Sequence, residues 1–285
     1  MNCGKKQLKC TVIVPTYNRK LLLQRTLSAL SCQTVPSETF EVIVVDDGSS
    51  DGSEDAISSF RDGLDLRYFW QPDEGFRPAA ARNIGLQHAR GEVIVFLDSG
   101  VVPHSLYLDR LLEIHHAKPS TAVVGYVYCF DGRLQDAADL DAALQDAVDI
   151  DRFCEECSAR VDTFDAREPI YRLCQDELGQ LDAPWVVFWT CSVSARADDL
   201  RLVGGFDENF RSWGGEDIEL GYRLLRSGVN LQLARSAMAV HYPHPSDIKQ
   251  NRRTALLNFR YFAKKHKITV SDALMGSVWT SLYGR

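Results

Sequence analysis

The chain is predicted to be an α/β protein, a mixed, mainly parallel sheet flanked by helices. Three observations carry that prediction. Short apolar runs rich in β-branched residues alternate with segments of helical periodicity through the first half of the chain. The apolar runs are continuous rather than alternating, which marks strands buried on both faces. Polar clusters follow three of them, after Val14, Val45 and Leu97, where a parallel sheet gathers its ligands at the carboxyl ends of its strands.

Taken in order, residues 10–15 read as a first strand, 21–31 as an amphipathic helix and 40–45 as a second strand that ends in Asp46-Asp47-Gly48-Ser49. Residues 53–60 read as a helix, 66–70 as a strand, 78–89 as an alanine-rich helix opened by Pro78, and 93–97 as another buried strand. From 131 to 182 the character changes, with 15 Asp or Glu against 5 Arg. The spacing of Ala137, Leu140, Ala143, Leu144, Ala147 and Val148 there suits one or two helices. This segment is either a solvated helical insertion or an acidic wall that attracts a cationic acceptor. Residues 184–194 are expected to return to the sheet as a strand, 197–203 to form a short helix, and 231–240 a last strand ending at His241. Residues 246–267 hold seven Lys or Arg and one Asp with interleaved apolar residues, a helix that packs one face on the domain or lies on a membrane surface. The chain thus divides at 1–130, 131–183, 184–245 and 246–285.

Composition bounds the function. With 45% hydrophobic and 25% charged residues the chain is ordinary for a globular protein. A formal charge of -7 argues against nucleic acid as a partner, because phosphate backbones demand clustered cations. The polar first residues and the lack of a long apolar run point to a cytoplasmic location, with peripheral membrane contact through the basic tail as the exception. Most of the eight cysteines sit singly among apolar neighbours, as buried free thiols do. Cys154 and Cys157 have metal-knuckle spacing with Cys174 downstream, but no second pair completes a zinc set.

Residues Trp213-Gly214-Gly215-Glu216-Asp217 concentrate the chemistry of the second half. Two glycines permit a tight turn, the indole offers a flat apolar platform, and adjacent carboxylates can hold and deprotonate a sugar hydroxyl. The same residues also suit a plain helix N-terminus with acids at its positive end.

Together with Val14-Pro15-Thr16-Tyr17-Asn18-Arg19, Asp46-Asp47-Gly48-Ser49 and the strand-end Asp98, this turn resembles the inverting glycosyltransferases of family 2, which have the Rossmann-like GT-A fold. The block from Gly204 to Leu225 is also similar to the C-terminal half of galactosyltransferases and chondroitin polymerases. The resemblance spans roughly residues 10 to 245. It implies transfer of a hexosyl group from a nucleoside-diphosphate sugar, usually UDP-linked, to a hydroxyl of a glycan or small-molecule acceptor.

On this reading Tyr17 stacks on the base and the Pro15-Thr16 backbone meets its edge. Asp47 accepts a uracil N–H or serves as a turn acid, and Asp46 is structural. Arg77 pairs with the diphosphate or holds Asp47, while Arg82 does the same or forms a buried ion pair. Phe96-Leu97-Asp98-Ser99-Gly100 occupies the place of the family's DXD motif, so Asp98 and Ser99 face the donor ribose and a Mn²⁺ or Mg²⁺ ion. Its last acid is replaced by Gly100, and His241, with His244 three residues on, matches the family's C-terminal metal histidine. Asp217 is implied as the base, Glu216 as the group that orients the acceptor, with Trp213, Gly214 and Gly215 lining the acceptor side.

Two other readings compete. A nucleotide-sugar-binding protein without transfer is suggested by Gly100, but it gives no reason for the acid pair. A nucleotidyltransferase would want a glycine- and lysine-rich loop after the first strand, where this chain has proline and tyrosine.

Overall fold

A computed structural model describes residues 8–129, 147–244 and 247–270. The interior strands form because nothing in them needs water. β1 (Cys10–Thr16), β2 (Phe40–Asp46) and β4 (Val93–Leu97) are buried along almost their whole length, and β3 (Leu66–Trp70) extends their parallel array at the edge. The connecting helices α1 (Lys20–Ser31), α2 (Asp55–Ser58) and α3 (Pro78–His88) carry the crossovers that parallel pairing requires.

The sheet continues through β5 (Val101–Pro103), β6 (Thr121–Tyr128), β7 (Ser192–Arg196) and β8 (Asn230–His241), in the order β3-β2-β1-β4-β7-β6-β8-β5. Four of its seven pairings are parallel; those of β7 with β4 and β6, and of β5 with β8, are antiparallel. The mixed, mainly parallel sheet is therefore as predicted. Between β5 and β6, α4 (Tyr107–Ala117) covers one face with Tyr107, Leu108 and Leu111.

Two expectations need correction. Residues 184–194 do not form one strand: Pro184–Val187 is a 3-10 turn, and the strand begins only at Ser192. Proline fixes the start of that turn and withholds a ladder donor, while Trp185, Val186 and Val187 bury their side chains without pairing their backbones in the sheet. Nor is the acidic segment wholly a solvated insertion. Residues 137–144, where the helical spacing was strongest, lie outside the described residues, but α5 (Ala147–Ser158) and α6 (Glu168–Leu173) deliver Cys154, Cys157, Ile170 and Tyr171 to the core. Between them the buried pair Asp165–Arg167, 2.7 Å apart, bonds Val127 N, Gly125 O and Val187 O, fastening the segment to β6 and to the turn before β7. Cys154, Cys157 and Cys174 are buried, and among the described residues no group of three His, Cys, Asp or Glu side chains is arranged to hold a metal ion.

The last third is completed by α7 (Ala197–Leu202), α8 (Glu216–Arg226) and α9 (Ile248–His266). The basic tail folds back: Ala255, Phe259, Phe262 and Ala263 of α9 are buried, and Lys265 and His266 reach the fully buried Glu219 of α8 at 2.7 and 2.8 Å. No helix of the described residues is long and apolar enough to cross a membrane.

Candidate active site

The carboxyl ends of β1, β2 and β4 meet on one edge of the sheet, and the loops that leave them interlock. After β1, Asn18 takes the left-handed conformation at φ 50°, its amide donating to Ser49 Oγ and its side chain accepting from Ser50 N, both at 2.8 Å. Asp46 accepts from Ser49 N at 2.7 Å and from Tyr68 Oη at 2.9 Å, the structural role expected of it. Asp47 is 7% exposed and accepts from Gln71 Nε2 at 2.5 Å and from Arg77 N at 2.9 Å. Burial pushes its carboxyl pKa above the usual range in spite of those donors.

Gly48 is required here. At φ 92° a Cβ would fall 2.4 Å from Asp73 N, so a side chain would force the 71–77 loop away from Asp47. Tyr17, an exposed aromatic of this edge, donates to Asp73 Oδ2 at 2.8 Å. Thr16 Oγ1 is buried with no hydrogen-bond partner among the described residues. Arg77 donates to Glu74 at 2.8 Å and to the Pro72 carbonyl, and its Nε lies 3.8 Å from Asp47 Oδ1.

Of the two readings of Arg82, the structure shows the buried ion pair. Its buried guanidinium donates to Asp98 Oδ1 at 2.9 Å and to Glu216 Oε1 at 3.1 Å, lying over the Phe206 ring. It joins the end of β4 to the acid pair of α8 as an ion triad.

Beside Asp98, Ser99 is buried and Gly100 adopts φ 99°, donating to Thr26 Oγ1 and accepting from Tyr242 N. That last bond, with the pairing of Val101 and His241, draws the end of β8 against the Asp98 turn. Desolvation first, then His244, pushes the His241 pKa down to about 3, so the imidazole is neutral and able to ligate. Asp98 and His241 supply one carboxylate and one imidazole. That short set fits an ion that draws most of its ligands from a diphosphate and water.

The Trp213–Asp217 turn is built on two glycines that supply its positive φ. Gly214 and Gly215 stand at φ 88° and 102°, and Gly215 caps α8, so that Glu216 and Asp217 are its first two residues. Glu216 is 6% exposed; its Oε2 has no partner among the described residues. Asp217 accepts from its neighbour Ile218 N at 2.8 Å and lies 3.4 Å from Thr190 N. Desolvation, then the adjacent Glu216, pushes its pKa up to about 7. Trp213 is half-buried, its carbonyl held from α9.

Three contributors escaped the sequence reading: Gln71 on Asp47, Thr190 beside Asp217, and Asn258 on α9, which bonds the Trp213 turn. Only Asn258 left a signal, a lone amide in the apolar register of Ala255, Phe259 and Phe262.

The family described as Glycosyl transferase family 2 matches residues 11–155, and that of the N-terminal domain of galactosyltransferase matches residues 177–245. The chain belongs to glycosyl transferase family 2. Similar members include the validoxylamine A glucosyltransferase of Streptomyces hygroscopicus subsp. jinggangensis, 38% identical over 96% of this chain and 65% of the relative. The chondroitin synthase of Escherichia coli is 29% identical over 90% of this chain and 40% of its own length. The chain thus spans 65% and 60% of the length of the two Streptomyces relatives it matches. Among solved structures, S. aureus TarS 1-349 in complex with UDP-GlcNAc superposes with a TM-score of 0.68 at 16% identity, covering 97% of this chain and 73% of that one. The mannosyltransferase PcManGT from Pyrobaculum calidifontis, in complex with GDP-Man and Mn²⁺, gives 0.64 at 20% identity over 96% and 69%. At these identities the likeness shows the fold, the GT-A architecture of the family.

Proposed function

We propose that this chain is a glycosyltransferase that moves a sugar from a UDP-linked donor to a hydroxyl of a glycan or glycosylated natural product, with inversion at the anomeric carbon. One observation supports the reading: the Arg82 fork joins Asp98 at the end of β4 to Glu216, the neighbour of Asp217, so the proposed base and the proposed donor edge belong to one site. The UDP and UDP-GlcNAc complexes of TarS support the donor class, and the names of the Streptomyces relatives support a small natural-product acceptor.

In this mechanism Tyr17 and Asp47 hold the base, while the loop bearing Arg77 keeps Asp47 in place. Trp213 and the free Glu216 Oε2 orient the acceptor. Asp217 takes the hydroxyl proton as the acceptor oxygen bonds to the anomeric carbon and the bond to the diphosphate oxygen breaks on the opposite face. Asp98 and His241 would hold a Mn²⁺ or Mg²⁺ ion, which neutralises charge on the leaving diphosphate when bound. An amine-bearing acceptor fits the acidic composition of residues 131–182. The outward Arg253, Arg260 and Lys264 of α9, with exposed Leu256 and Leu257, support peripheral contact with an anionic surface.

The test is a thermal-shift panel of UDP- and GDP-sugars with and without Mn²⁺, followed by assay of nucleoside diphosphate release. Release from a UDP-sugar that depends on an acceptor is expected. Stabilisation by the donor with no release under any acceptor leaves the binding-only reading that Gly100 suggests.

A further inference from the structure

We propose that Asn258 of α9 is a positioning residue for the Trp213–Asp217 turn, so that the C-terminal helix is a working part of the acceptor side. The inference rests on the transferase reading of that turn. An amide on the buried face of a helix is costly unless its polar atoms find partners. Asn258, 9% exposed, lies between Ala255 and Phe259 on one side and Phe262 on the other. Its Nδ2 reaches three successive carbonyls, Ser212 at 3.0 Å, Trp213 at 3.4 Å and Gly214 at 2.7 Å, and its Oδ1 accepts from Ser212 Oγ at 3.2 Å. One turn earlier on the same face, Thr254 Oγ1 adds a 3.2 Å bond to the Trp213 carbonyl.

These bonds fall where the chain is least able to hold itself. Gly214 and Gly215 both have positive φ, and consecutive glycines have the largest backbone freedom to lose. The turn is also gripped by contact: a Cβ on Gly214 would sit 3.3 Å from Ala255 Cβ, and one on Gly215 would sit 3.4 Å from Asn258 Cβ. The very next residues are Glu216 and Asp217. α9 therefore fixes where α8 begins, and with it the distance from Asp217 to an acceptor hydroxyl. The Asp47 loop is held without α9, because Gln71 Nε2 and Arg77 N both donate to Asp47.

The experiment compares Asn258→Ala with Phe262→Leu. Phe262 belongs to the same helix but packs on Tyr222, 5.3 Å between ring centroids, so its truncation loosens α9 without removing the bonds to the turn. With UDP-sugar saturating, Asn258→Ala is expected to lower kcat about 100-fold and to raise the acceptor KM. UDP affinity should stay at the parent value, and amides 213–217 should exchange hydrogen faster. Phe262→Leu, at an equal or larger loss of Tm, should keep kcat near the parent. Equal losses of kcat in both variants, or unchanged kcat and exchange in Asn258→Ala, would overturn the assignment. If the alanine variant yields no folded protein, Asn258→Ser is judged by the same readouts. A parent chain that turns over no nucleotide sugar defeats the transferase reading alone, and the exchange measurement still decides whether Asn258 braces the turn.

Discussion

Arg82 Nη1 lies 3.1 Å from Glu216 Oε1, so a guanidinium on α3 grips the first residue of α8 across 134 positions of sequence. Its other arm holds Asp98 at 2.9 Å, and a planar fork of this kind fixes angle as well as distance. The Arg82→Met variant removes the cation and strands two carboxylates. Breaking a buried pair from one side costs about 3–5 kcal/mol, and the lower end applies because the Asp98 side chain is 33% exposed. Urea unfolding should show that loss, with little turnover left in the folded fraction. Arg82→Lys restores charge without the fork, so it should regain much of the stability and little of the rate.

Asp217 is the residue whose protonation should govern turnover. Asp217→Asn is expected to lower kcat by about 10²–10⁴-fold while leaving UDP binding intact. Because desolvation and Glu216 push the carboxyl up to about 7, kcat/KM of the parent should climb with pH below that value and level off above it. Stability should move the other way. An unfolded Asp ionises near 3.8, so between there and about 7 the folded chain keeps a proton that the unfolded chain has lost. The contribution of this group therefore falls as pH rises. Melting curves should show Asp217→Asn close to the parent at about pH 4 and more stable than it at about pH 8.

Gly100 stands where the family's motif has an acid, and its backbone explains why the acid is not simply restored. At φ 99° a side chain is strained, and the Cβ would also press on Leu22 Cδ1 at 3.3 Å. Gly100→Asp should cost about 1–3 kcal/mol of stability. Isothermal titration of Mn²⁺ in the presence of UDP should show no gain in affinity; a clear gain would mean that the turn re-forms around a third ligand.

How much of this was legible follows from range. β1, β2 and β4 announce themselves because strands buried on both faces are apolar without interruption. The same rule misplaced the start of β7, since the apolar run after Pro184 folds as a 3-10 turn and burial alone does not separate the two. Acids at strand ends were visible because each sits in a local motif. A buried ion pair at Arg82 was one of two readings, but its partners were not legible, because both are set by tertiary folding, one 16 and one 134 positions away. Asn258 acts on a turn 44 to 46 positions earlier, and its meaning appears only when α9 closes on Gly214.

Asp47 offers a decision between base recognition and a turn role. Both of its oxygens are already engaged, by Gln71 Nε2 and by Arg77 N, so a uracil N–H would have to share a remaining lone pair. Asn at this position has a single acceptor oxygen, and one of those two donors would lose its partner. A buried unsatisfied donor costs about 1–3 kcal/mol, so Asp47→Asn should lower Tm whichever role is right. UDP titration separates the roles. If Asp47 reads the base, UDP affinity should fall about 10-fold or more, since the charged acceptor is gone and the Asn amide faces the uracil N–H with a second donor. Unchanged affinity at a temperature where the variant is fully folded would leave Asp47 as a turn acid, with recognition of the base resting on Tyr17 and the backbone of Pro15 and Thr16.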